Sequence, residues 1–90
     1  MMHVFDYGVE IRLDTDADLS TAQEARILYK KPSGKTGYWN AVVDGDTLVY
    51  LTQPGDIDEA GIWILQSYVR GITYELTGKK VFIMVKERVA

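Results

Sequence analysis

The chain has 90 residues, 47% of them apolar, no cysteine and a formal net charge of -3. That suffices for one domain, residues 1–90, with a single modest core; the acidic balance excludes a general nucleic-acid binder, which needs a basic surface against phosphates, and zero cysteines exclude disulfides, thiol nucleophiles and cysteine metal sites. No apolar run approaches the roughly 18 residues of a membrane span, and the first six residues lack the basic start and apolar stretch of an export signal, so a soluble protein without membrane contact is expected.

Tyr7, Val9, Ile11 and Leu13 alternate with Gly8, Glu10 and Arg12, a period of two that predicts the first strand, one face in a core and the other in water. Asp14, Asp16 and Asp18 follow at the spacing that opens a calcium loop. The rest of that pattern fails, since Leu19 stands where the loop needs glycine and Ala25 where it needs a bidentate glutamate. The segment is read as an acidic surface turn, with no metal. The lysines and Arg88 between 79 and 88 oppose it in sign, which is read as scattered solvated charge.

Residues 21–31 support two readings. Thr21-Ala22-Gln23-Glu24 fits a capping box, and Ala22, Ala25, Leu28 and Tyr29 could form a helical stripe, which would make the fold α+β. Against this, Ala25, Ile27 and Tyr29 alternate with Arg26, Leu28 and Lys30, and Pro32-Ser33-Gly34-Lys35 suits a hairpin connection. Strand is preferred, because a sandwich needs a partner strand here and context overrides propensity.

Residues 38–43 alternate again as one strand, Asp44-Gly45-Asp46 closes a tight turn, and 47–52 is the next strand. Gln53 to Glu59 then carries the chain across to a central strand. There Trp63, Leu65, Ser67 and Val69 share one face and Ile62, Ile64, Gln66 and Tyr68 the other; apolar residues on both faces mark a central or partly covered strand. Arg70-Gly71 turns into a short strand at 72–76, Thr77-Gly78-Lys79 turns again, and 81–85 closes the fold. About seven short strands with turn signals every 8 to 12 residues or so predict an all-β sandwich.

Glu59-Ala60-Gly61-Ile62-Trp63-Ile64-Leu65 resembles the turn into strand F of immunoglobulin-like domains, with Trp63 in place of the corner tyrosine. The resemblance implies that Ile27 and Leu65 stand where that family has its inter-sheet cysteines, with Trp39 as the strand-C tryptophan, an apolar pin in place of a disulfide. A narrower likeness spans residues 7 to 86. Leu19-Ser20, Lys31-Pro32-Ser33-Gly34, Asp56-Ile57-Asp58-Glu59-Ala60-Gly61 and Gly78-Lys79 follow in an order similar to the immunoglobulin-like N-terminal domain of phage baseplate upper proteins. That likeness implies a phage or prophage structural module in the virion or the host cytoplasm, binding protein subunits, its own copies included, and performing no chemistry.

The residues themselves offer little to an enzyme. His3 is the only histidine, at an end of the chain expected to be mobile, so triads and multi-histidine metal sites are excluded. Asp56, Asp58 and Glu59 could act as acids or bases, but carboxylates in turns are ordinary backbone hydrogen-bond acceptors. No catalytic residue, cofactor or metal ligand is therefore assigned. Gly61 is placed with Ile27, Trp39, Trp63 and Leu65 in the core and corner, and Tyr38, Ile62, Ile64 and Tyr68 form the expected interaction surface. The alternative is carbohydrate binding through Tyr38 or Trp39 with Tyr50, Tyr68 or Tyr74, which requires at least two coplanar exposed rings on one face.

Overall fold

The computed structural model describes residues 2–89. Among them there are eight strands and no helix: β1 (Met2–His3), β2 (Glu10–Asp14), β3 (Glu24–Lys30), β4 (Thr36–Asn40), β5 (Val42–Asp44), β6 (Thr47–Leu51), β7 (Gly61–Arg70) and β8 (Glu75–Lys86). They form a five-stranded sheet in the order β1-β8-β7-β3-β4 and a three-stranded sheet in the order β2-β6-β5. All neighbours are antiparallel except β1, which runs parallel to the end of β8. The architecture is all-β and sandwich-like; no helix is long and apolar enough to cross a membrane.

Alternation explains which side of each strand is covered. On β7 the side chains of Trp63, Leu65, Ser67 and Val69 are buried and their neighbours are not, as expected of the middle strand of five. Opposite them, β2 and β6 supply Ile11, Leu13 and Leu48, while Leu19 and Ile57 enter the same core from connections. The ambiguous segment is strand β3, paired along its whole length with β7 and along most of it with β4. These ladders satisfy its backbone on both sides, which outweighs the local helical pattern. Instead of capping a helix, Ala22 N–H donates to Leu19 O (3.1 Å) and Gln23 N–H to Arg70 O (2.8 Å).

Several boundaries differ from expectation. Residues 38–43 are not one strand: the chain leaves the larger sheet after Asn40, turns at Ala41 and joins the smaller sheet as β5. Alternation persists through this corner, so period alone does not register the change of sheet. The first strand begins only at Glu10; before it, Val9 N–H donates to Thr52 Oγ1 (3.0 Å) and Thr52 N–H to Val9 O (2.9 Å). His3 is not at a loose end, since it lies in β1 beside Lys86 and its N–H donates to the Asp6 carboxylate at 2.9 Å.

Of the expected strand at 72–76 only Glu75 and Leu76 are in a strand, and they belong with 81–85 to one strand, β8, while residues 72–74 lie in the turn before it. Gly78 marks a bulge, not a turn: Gln66 faces Lys80 and Tyr68 faces Thr77, which leaves Ser67 opposite both Gly78 and Lys79. A Cβ on Gly78 would collide with Ser67 Oγ, and Gln66 Nε2 donates to Gly78 O at 3.0 Å. Glycine there leaves room for the Ser67 hydroxyl.

The inter-sheet pin also takes a different form. Ile27, Trp39 and Leu65 are buried as expected, but they sit on β3, β4 and β7, adjacent strands of one sheet. Beside the aliphatic core, an aromatic contact joins the sheets: Trp39 stacks on Tyr50 of β6, centroids 4.9 Å apart and planes 7° from parallel. Tyr29 lies 4.8 Å from Trp39 and 5.7 Å from Trp63, extending the cluster towards the corner.

Candidate functional site

The four residues expected to form an interaction surface lie on one face, the outward side of the five-stranded sheet. Pairing fixes their neighbours. Ile62 stands beside Met84, Ile64 between Phe82 and Lys30, Gln66 between Lys80 and Leu28, and Leu28 beside Tyr38. Phe82 is 64% exposed, and Ile62, Met84 and Tyr38 are each about half exposed. A groove of about 450 Å³ runs over Leu28, Tyr38, Ile64 and Gln66, with Lys30 and Lys80 at its margin.

The other end of the same face is charged. Arg26 lies over the Tyr38 ring at 4.3 Å and 5.9 Å from that of Tyr68. It pairs with Glu24 at 3.5 Å, and Glu24 in turn receives Arg70 at 2.6 Å. The face thus passes from an apolar end at Ile62, Met84 and Phe82 to an ion-paired end at Glu24 and Arg70.

Leu28, Phe82 and Met84 were not anticipated on this surface. Their signal is present: residues 81–85, like 62–65, are apolar at both parities. Two neighbouring strands of that kind leave their outward residues uncovered unless something packs on them. For carbohydrate, the face offers less. Trp39 and Tyr50 are stacked on each other and Tyr74 packs against the core, which leaves Tyr38 and Tyr68 with the Arg26 guanidinium beside both rings.

The acidic turn residues hold the corner together. Lys31 Nζ donates to both oxygens of Asp58 at 2.9 Å, which holds the lysine above its usual pKa. Ser33 donates to Glu59 through N–H and Oγ, each at 2.9 Å. Asp56 accepts Gln53 N–H at 2.7 Å and the Tyr50 hydroxyl. Gly61, at φ +127°, packs beside Pro32. Trp63 Nε1 then donates to Glu59 O at 2.9 Å, closing the corner below the turn. The carboxylates considered for acid or base chemistry are occupied in this scaffold.

The three aspartates of the early turn do not converge. Asp14 and Asp16 meet Asp46 from the β5–β6 turn, with carboxylate oxygens within 4.8 Å of one another and all three residues exposed. Asp18 instead accepts Ser20 N–H at 3.0 Å, which lowers its pKa. Asp14 accepts Asp16 N–H at 3.2 Å, an ordinary turn contact.

Burial, then the hydrogen bond to Asp56 and that group's charge, push the Tyr50 hydroxyl up to about 12 from 10.0. Folding therefore favours the neutral phenol. Its stabilisation is complete below pH 10 and is lost as pH rises from 10 towards 12. Urea unfolding at both ends of this window should show a steeper loss for the wild type than for Tyr50→Phe; equal losses would remove Tyr50 as the cause.

No family model matches the chain, nor does any curated protein or solved structure.

Proposed function

We propose that the chain is a non-catalytic protein-interaction module with immunoglobulin-like topology, an assembly component of the phage or prophage tail or baseplate type. Strand order supports the topology. β8-β7-β3 opposite β2-β6-β5 corresponds to G-F-C opposite B-E-D, with β4 as C′ and β1 as a short edge strand. In this correspondence β2, not β3, takes the place of strand B; Ile27 lies on strand C and Trp39 one strand further out. The corner supports it too, because Trp63 donates to backbone four residues upstream, as the corner tyrosine does in that fold. The phage assignment rests on the turn motifs alone.

The observation that carries the interaction reading is the apolar end of the outer face, exposed Ile62, Phe82 and Met84 with half-buried Ile64 beside them, bordered by lysines. Grouped apolar side chains with a polar rim mark association surfaces on soluble proteins. The test is affinity capture from host or virion lysate with the wild type and with Ile62→Glu/Ile64→Gln. The wild type should retain tail or baseplate subunits and the variant should lose them, with melting temperatures within a few degrees of each other. Glycans or metabolic enzymes in their place, or identical recovery by both proteins, would displace the proposal.

A further inference from the structure

We propose that the seam between β2 and β8 is an acceptor slot for a donated β-strand, an extended segment of another polypeptide that is apolar at alternate positions and acidic where it passes Lys80. This edge adjoins the outer face, with which it shares Lys80, but its backbone ladder and its row of cavities do not involve Ile62 or Ile64.

The seam lies between two free edges. β8 has twelve residues, of which β1 pairs only Val85 and Lys86, so the ten residues from Glu75 to Met84 have no neighbour on that side among the described residues. Among the described residues β2 likewise pairs only with β6. A free stretch of ten residues offers a partner about 33 Å of ladder. Its alternate N–H and C=O groups point away from β7 and template a further strand.

The core beside this edge is incompletely covered. Leu76 and Val81 face inward, opposite the buried Val69 and Leu65, yet they are 46% and 40% exposed. Three cavities follow one another along the seam: about 200 Å³ at Leu19 and Leu76, about 330 Å³ at Leu13 and Val81, and about 420 Å³ at Val9 and Ile83. A strand laid along β8 puts alternate side chains into such a row while its backbone completes the ladder. A helix or a small ligand would leave the row of backbone groups unpaired.

Charge selects the occupant. Lys79 shares the middle cavity with Asp14 and Asp16, whereas Lys80 points to the outer side beside Gln66 and has no ion-pair partner among the described residues. A second copy of β8 is disfavoured, since antiparallel pairing over this stretch brings the Lys79-Lys80 pairs of the two copies together, and opposed like charges destabilise a ladder. An acidic residue of a different strand beside Lys80 is complementary.

The test uses the intact protein with an acetylated ten-residue peptide alternating valine and threonine, with glutamate at one central threonine position, and a control peptide with lysine there. In amide-exchange spectra, alternate β8 amides between Leu76 and Met84 should slow by at least about tenfold on binding. The glutamate peptide should bind roughly two- to fivefold more tightly than the lysine peptide, and Lys80→Glu should reverse that order. The Ile62→Glu/Ile64→Gln variant should accept the peptide as the wild type does, which separates this proposal from the outer-face reading. No slowing at millimolar peptide, protection at β4 in place of β8, or β8 protection that rises with protein concentration alone would overturn the slot. Equal affinity for the two peptides would overturn the acidic partner.

Discussion

Trp63→Ala is expected to lower stability by about 3–5 kcal/mol, the range for truncating a buried tryptophan. Trp63 is fully buried, 6.2 Å from the Trp39 ring and 5.7 Å from Tyr29, with Lys31 Nζ 5.6 Å from its centroid. The alanine variant removes packing shared by both sheets, because Trp39 carries the contact on to Tyr50. In a domain of this size the loss corresponds to a fall of more than about 10 °C in melting temperature. Trp63→Phe separates packing from the corner hydrogen bond. It keeps a ring in the core but leaves Glu59 O without the indole donor, a loss of about 1–3 kcal/mol. Urea unfolding of the three proteins decides the matter. If phenylalanine is as stable as tryptophan, the hydrogen bond to Glu59 contributes nothing and the corner is held by packing alone.

The strands were legible where a single chain sets the pattern. Alternation in 61–70 identified a central strand with Trp63, Leu65, Ser67 and Val69 inward, and those four are the buried residues of β7. It was silent on partners, which long-range pairing decides. Ala41 illustrates this, because Trp39 and Val43 keep the same period while belonging to different sheets. Gly78 illustrates the converse: a glycine among polar residues between two apolar stretches signals either a turn or a bulge, and only the pairing with β7 distinguishes them. The implied pin of Ile27 and Leu65 failed for the same reason. Burial of both was readable from the period; the sheet each belongs to was not.

The interaction face follows the same division. Ile62, Ile64, Tyr38 and Tyr68 were identifiable as outward residues of apolar strands, and they share a face because β3, β4 and β7 are neighbours. Phe82 and Met84 join them only through the register of the β7–β8 hairpin, in which one bulge shifts the pairing. A reading that placed a turn at 77–79 could not reach that register.

Two of the segments that carry the resemblance, 31–34 and 56–61, dock on each other through Lys31 with Asp58, Ser33 with Glu59, and Pro32 with Gly61. The last contact yields the second large effect. Gly61→Ala should destabilise the protein by at least about 1–3 kcal/mol, the cost of holding a side chain in a backbone region that glycine alone adopts readily. Overlap adds to this, since a Cβ at Gly61 would stand 2.9 Å from both Cβ and Cγ of Pro32. The proline ring cannot rotate away as a flexible side chain would. A double-mutant cycle divides the two costs: Pro32→Gly, which removes both contacting carbons, should relieve the overlap in the Gly61→Ala background and leave the backbone strain, giving a coupling of about 0.5–3 kcal/mol. Zero coupling would mean that the turns do not press on each other at this point. Full recovery would mean that φ +127° at Gly61 carries no strain for alanine, and the corner's glycine would then be required only by its neighbour.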